Sequence, residues 1–489
     1  MHEHEESDGR IVPAKLPNKA GRPVAEAVEG RRPAKGNTGS PTRPGHSTGP
    51  GVPSGLERVR EVARKDKGAR FTALLHHVTV DRLLEAYWAT NPKAAMGVDL
   101  VTWGRYGQDL ETNLQDLHRR VHTGAYRAKP SRRAYIPKRD GGARPLGIAS
   151  LEDKILQRAV VEVLNAVYEE DFLGFSYGFR PGRSPHNALD ALSVGITSKK
   201  VNWVLDADIR SFFTQIDQLW LMKFLEHRIA DRRVLRLIQK WLSAGVIEDG
   251  KWSETPEGSP QGASASPLLA NVYLHYVFDR WVSRWRRQQA HGEVIVTRFA
   301  DDFIVGFELR GDAMQFLRDL RERFAKFNLE LHPDKTRLIE FGRWAARNRK
   351  ARGLGKPETF QFLGFTHICA KGKNGGFWVK RVTISKRMRA KLGEVRDQIK
   401  QRRHRPVREQ GRWLGSVVRG HVAYYAVPGN SKAVQEFRTQ VIRLWCQALR
   451  RRSQRHRLTW ERMGRLAKRW LPPARIQHPF PAVRFAAKT

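Results

Sequence analysis

Three aspartates stand where strand-like runs end. In E-V-I-V-T-R-F-A-D-D-F-I-V-G-F-E (293–308), β-branched and aromatic residues alternate on both sides of Asp301-Asp302. Period-two alternation predicts a β-hairpin with the two carboxylates in its turn. Asp suits a turn for local reasons, so this pair alone assigns no chemistry. A second run, V-N-W-V-L-D-A-D-I-R-S-F-F-T-Q-I (201–216), predicts a strand leading into Asp206, Asp208 and an aromatic pair. Alternation sets Asp206 and Asp208 on one face, and either could be a ligand. Two strand ends that bring carboxylates together suit two divalent cations, which would clamp the attacking and leaving oxygens of a phosphoryl transfer.

Several elements must position these groups. R-R-A-Y-I-P-K-R-D-G-G-A-R-P-L-G-I (132–148) reads as two strands around a D-G-G turn, with Lys138 and Arg144 flanking the loop. Ser150 and Asp153 open a buried helix whose apolar residues run to Val167. F-S-Y-G-F-R-P-G-R-S-P-H (175–186) is a Gly/Pro-broken loop carrying Arg180 and Arg183. E-G-S-P-Q-G (257–262) is another loop, after which Ser266 caps a helix with Pro267 at its first position. Residues 313–327 form an amphipathic helix behind the hairpin, and apolar spacing predicts three more helices near 384–399, 434–449 and 460–470.

The whole carries 89 Lys and Arg against 49 Asp and Glu in 489 residues, a net charge of +40. Such a balance points to a polyanionic partner. Residues 381–489 hold 28 of those cations and 5 of the acids, so +23 of the charge sits there. Residues 1–70 are Gly-, Pro- and charge-rich with few large apolar residues, and read as a disordered basic arm with order beginning near Phe71. No apolar run approaches the ~20 residues of a membrane span and the first residues lack a signal-peptide core, so the expected location is the cytoplasm, with no membrane partner. Cys369 and Cys446 are the only cysteines, too few for a disulfide framework or a cysteine zinc site.

F-A-D-D resembles the signature hairpin of reverse transcriptases, and D-I-R-S-F-F their other metal-binding strand. The flanking text resembles one branch, the proteins encoded by bacterial group II introns. I-P-K-R-D-G-G-A-R-P-L-G-I, S-P-Q-G, S-P-L-L-A-N-V-Y-L, F-Q-F-L-G-F and R-G-H-V-A-Y-Y-A-V-P-G-N-S match that branch in order over roughly residues 75 to 485. The resemblance implies an α+β right-hand polymerase: an N-terminal extension of the fingers at 71–130, a fingers-palm core at 131–370, a helical thumb or maturase domain at 381–470 and a basic tail at 471–489. It implies an RNA-directed DNA polymerase with two Mg²⁺ ions, Mn²⁺ able to substitute, held by Asp208, Asp301 and Asp302. Lys138 and Arg144 would meet the deoxynucleoside triphosphate. Phe213 would bar a 2′-hydroxyl and Gln261 would lie beside the nascent base pair. Arg180, Arg183, Lys335 and Arg419 would contact nucleic-acid backbone. The implied partners are the parent intron RNA, an RNA template and a DNA target or primer, with splicing and mobility as the outcome. Many relatives append an H-N-H endonuclease with paired cysteines that this chain does not carry, so mobility would need single-stranded or opened target DNA. The rival readings are a splicing factor with decayed polymerase activity and a host-domesticated reverse transcriptase, as in phage defence.

Overall fold

The computed structural model describes residues 55–137, 143–248, 251–253, 258, 262–372, 374–452 and 458–485. Its strands, in chain order, are β1 (Ser131–Pro137), β2 (Ala143–Ile148), β3 (Trp203–Ala207), β4 (Val246–Glu248), β5 (Lys251–Ser253), β6 (Val294–Phe299), β7 (Asp302–Phe307), β8 (Arg337–Glu340), β9 (Phe360–Phe362), β10 (Phe365–Lys371) and β11 (Phe377–Thr383). They form three sheets, ordered β2-β1-β4-β5, β6-β7-β3-β8 and β11-β10-β9.

The central sheet β6-β7-β3-β8 separates two apolar cores. Leu205, Phe303, Val305 and Phe307 enter one, shared with the 151–171, 218–226 and 266–274 helices. Val204, Ile304 and Ile339 enter the other, shared with the 185–198 helix, β9 to β11 and the C-terminal helices. Alternate residues of one strand thus serve two cores, as expected of a sheet covered on both faces. The 151–171 helix starts as its sequence suggests, with Ser150 Oγ accepting from the Asp153 N–H at 3.2 Å.

Order begins earlier than Phe71. Residues Gly55–Lys65 are helical and bury Leu56, Val59 and Ala63, while Arg64 Nε donates to Glu170 at 3.0 Å. Three small or branched apolar residues on one helix face sufficed, although the surrounding composition is polar.

The C-terminal helices are Ser385–Gln401, Val407–Tyr425, Ser431–Arg450 and Trp460–Trp470. The 407–425 helix adds to the three that spacing predicts and contains all of R-G-H-V-A-Y-Y. Residues 471–485 are not a free tail. The Gln477 and His478 N–H groups donate to Ala426 O at 2.9 and 3.2 Å. The His478 ring stacks on His186 at 3.9 Å, and Arg484 Nε lies 3.2 Å from Asp190 Oδ2. Asp190 also receives Arg381 Nη1 at 2.7 Å, both of these side chains being buried and Arg484 partly so. This basic segment is therefore spent on the 185–198 helix. Among the described residues no helix is long and apolar enough to cross a membrane.

Candidate active site

β3 pairs antiparallel with β7, from Trp203–Phe307 to Ala207–Phe303. Continued one residue, that register sets Asp208 opposite Asp302. By alternation Asp206 and Asp302 share the face of Val204 and Ile304, toward the core of the C-terminal helices. β6 and β7 pair from Val294–Phe307 to Phe299–Asp302. The turn is therefore Ala300-Asp301, one residue earlier than the expected Asp301-Asp302, and Asp302 opens β7. Asp302 is exposed, Asp301 half-buried and Ala300 buried.

Cations of the segment around β8 already occupy the carboxylates of β3. Lys335 Nζ lies 2.6 Å from Asp208 Oδ2, and Arg337 Nη2 lies 3.3 Å from Asp206 Oδ2. Burial pushes the Asp206 carboxyl up to about 6, the Asp208 charge adding to this and Arg337 opposing it. The backbone fixes this corner too, since the His332 N–H donates to Asp208 O and the Arg210 N–H to Glu330 O, both at 2.8 Å.

Among the described residues no three His, Cys, Asp or Glu side chains are gathered closely enough to hold an ion alone. That is compatible with Mg²⁺, which is commonly held by one or two carboxylates together with substrate phosphates. The ammonium on Asp208 stands where a cation would bind, so Asp208, Asp301 and Asp302 fit the group chemically.

Phe213 sits half-buried in the short helix Phe212–Gln215, its ring edge-on to Phe212 at 5.4 Å. Gln261 lies outside the described residues, but both ends of its loop are fixed. The Gly258 N–H donates to Ile216 O at 2.8 Å, and a methyl on Gly258 would come within 2.8 Å of Phe213 O. A methyl on Gly262 would come within 2.8 Å of Gly147 O in β2. Gly258 thus lies against the Phe213 turn and Gly262 against β2. Lys138 lies outside the described residues, and of Arg144 only the backbone is described, paired with Ile136.

Arg180 requires correction. It is buried, with Nε 3.0 Å from Glu169 Oε2 and Nη1 donating to Leu173 O and Ser176 O, both at 2.8 Å. A guanidinium so engaged holds its own loop together and cannot reach a phosphate. Arg183 also turns inward, donating to Gly174 O and Ser176 O, its guanidinium 5.2 Å from the Tyr177 ring. Arg419 is exposed on the 407–425 helix, on one side with Arg408 and Arg412. The end of that helix packs against the turn between β9 and β10. The Tyr424 hydroxyl donates to Leu363 O at 2.7 Å, and its phenol is raised chiefly by burial, with the charges of Tyr425 and then Asp302 adding. His367 is structural, stacked on Phe360 at 4.6 Å and held down to about 3 by burial.

Sequence reasoning missed the support beneath the hairpin. Arg298 is fully buried in β6 and ion-paired with fully buried Asp279. The signal was present: one arginine amid V-I-V-T-R-F-A, where only a paired charge can be buried.

Residues 136–367 match the family model described as reverse transcriptase (RNA-dependent DNA polymerase). Protein YkfC of Escherichia coli strain K12 is 34% identical over 274 residues, covering 50% of this chain and 71% of that protein. The group II intron-encoded protein LtrA of Lactococcus lactis subsp. cremoris is 38% identical over 173 residues, 35% of this chain and 28% of that protein. A putative COX1/OXI3 intron 2 protein of Saccharomyces cerevisiae is 32% identical over 257 residues, 52% of this chain and 27% of that protein. The chain thus spans less than a third of the length of these two intron-encoded relatives.

Proposed function

The chain belongs to the reverse transcriptase/maturase family of group II introns, and from that membership we propose that it extends a primer on an RNA template with deoxynucleoside triphosphates, and also binds its parent intron RNA to assist splicing and mobility. The observation that carries the first half is the β3–β7 register, which supports a meeting of Asp208 with the Asp301-Asp302 hairpin.

In this reading Asp208, Asp301 and Asp302 hold two Mg²⁺ ions, which when bound supply the Lewis-acid clamp on attacking and leaving oxygens. Asp208 gives up the Lys335 ammonium, which is 60% exposed and free to swing toward a phosphate. Phe213, half-buried with its backbone braced by Gly258, limits room at the sugar. Lys138 and Arg144 steady the triphosphate from the β1–β2 hairpin, and Gln261 lies at the base pair. Lys335, Arg183 and Arg419 remain the candidates for backbone contacts, Lys335 and Arg419 being exposed. The excess of cations over acids in residues 381–489 supports affinity for structured RNA.

Primer extension on an RNA template with Mg²⁺, wild type beside Asp301→Ala, tests the polymerase; intron-RNA binding is measured separately on the same proteins. Extension by wild type alone supports the reading. Equal extension by both would remove the hairpin from the reaction. No extension with tight RNA binding would leave a splicing factor.

A further inference from the structure

We infer that Arg298 is a positioning residue that aims the Asp301 carboxylate by bracing the backbone of Ala300. The inference rests on the polymerase reading above.

Ala300 has φ +58°, in the left-handed region, whereas Asp301 does not. In a two-residue hairpin loop, a positive φ at the first position alone is the pattern that normally calls for glycine. Alanine there costs about 1–2 kcal/mol, and such a conformation persists only where the surroundings over-determine it.

Arg298 supplies that restraint with all five of its N–H groups. Nε donates to Asp279 Oδ1 at 2.7 Å, and Nη2 to Asp279 Oδ2 and to Ser176 Oγ, the latter at 2.7 Å. Nη1 donates to Asn271 Oδ1 at 3.0 Å and to Ala300 O at 2.9 Å. A planar five-donor fork can meet four acceptor groups in this way, and an ammonium cannot.

The partners come from separate elements. Asp279 ends the single π turn His275–Asp279, inserted between the 266–274 and 280–288 helices. π turns of this kind are rare and frequent at functional sites. Asn271 lies one helical turn or more before it and donates Nδ2 to Gly178 O at 2.7 Å. Gly178 presses on the other side of the turn, where a methyl would come within 2.2 Å of Ala300 N. The Ala300 carbonyl is thus tied by Arg298 while its amide side is walled by Gly178. Replacing a buried ion pair with apolar packing is often neutral or stabilising. A pair retained here, with one donor aimed at the residue before Asp301, is accounted for by positioning.

Full-length Gly178→Ala and Arg298→Lys test this, with Asp301→Ala as reference. Gly178→Ala displaces the turn without removing a charge. We expect kcat for extension to fall roughly 10²-fold, the scale of an ångström misplacement, with nucleotide KM and intron-RNA affinity unchanged. Mn²⁺ binding, followed by electron paramagnetic resonance, should weaken roughly 10-fold, as for loss of an outer-shell partner. Normal kcat and normal Mn²⁺ binding in Gly178→Ala would overturn the inference, as would a loss of kcat matched by loss of melting temperature and RNA affinity at unchanged Mn²⁺ binding. Arg298→Lys should show the same split; should it fail to fold, Gly178→Ala decides. If wild type does not extend primers at all, the polymerase reading fails, and the Mn²⁺ measurement still decides whether Arg298 and Gly178 set the hairpin.

Discussion

The two halves of the acidic site are held in opposite ways. Asp206 and Asp208, at the end of β3, are met by Arg337 and Lys335, whose side chains are 48% and 60% exposed. Asp301 sits in a turn fastened from below by Arg298 and Asp279, both wholly buried. Exposed ion pairs are weak and exchange readily, while a buried pair that loses a partner is costly. One half can trade its cation for another during a reaction cycle, and the other keeps its shape throughout.

The largest test of this contrast removes the carboxylates themselves. Asp208→Ala and Asp301→Ala should each lower primer-extension kcat by roughly 10³-fold or more. If either variant were fully active, the two halves would not form one site. Next, Arg298→Met should cost about 3–5 kcal/mol in chemical denaturation by stranding Asp279, against ~0–1 kcal/mol for Lys335→Met. Similar costs for the two would erase the distinction.

Acid should separate the halves as well. Arg337 also donates to Thr359 O at 3.4 Å, so the β3 half leans on the sheet of β9 to β11. There His367 is held down to about 3, as is His421 against Phe437, in both cases chiefly by burial. A histidine whose folded value is depressed contributes stability that is present above its unfolded value of about 6.5 and lost as pH falls toward 3. At pH 5 the loss is on the order of 1–2 kcal/mol per group. Hydrogen exchange, corrected for intrinsic rates, should rise in β9 and β10 before β6 and β7. The smallest effect is expected of Lys335→Met on metal use. Removing the ammonium that competes for Asp208 should lower the Mg²⁺ needed for half-maximal extension by about 2–5-fold, the scale of one exposed pair; an increase would show Lys335 to be a partner of the reaction instead.

The parts of the fold legible in the sequence were those written in short-range pattern. Alternation around Asp301-Asp302 and before Asp206 marked β6, β7 and β3, and Ser150 marked the start of a helix. The turn was misplaced by one residue because Asp-Asp is the stronger turn signal, whereas the chain forces Ala300 into the left-handed region. The partners of Arg298, at 176, 271 and 279, are fixed by tertiary packing and leave no local trace. Arg180 reads as a cation for a ligand because charge alone does not tell which carbonyls it will meet. The 407–425 helix was hidden by its glycines. Leu414, Val418 and Val422 kept helical spacing, but Gly411 and Gly415 argue against a helix until Trp470 is seen, its ring and carbonyl within 2.6 and 2.5 Å of where a methyl would stand.

Asp190 is completed by Arg381, 191 residues later, and by Arg484, roughly 300 residues later. At ribosomal rates of 5–20 residues per second, the 185–198 helix waits about 15–60 s for its final partner. Until then its buried carboxylate and the apolar face beside it stand open in the nascent chain. The part of the chain built on the 185–198 helix therefore cannot finish folding during its own synthesis. A stop codon or protease cut ahead of residue 477 should cause misfolding and turnover of the whole chain, where loss of a dangling tail would have left the rest intact.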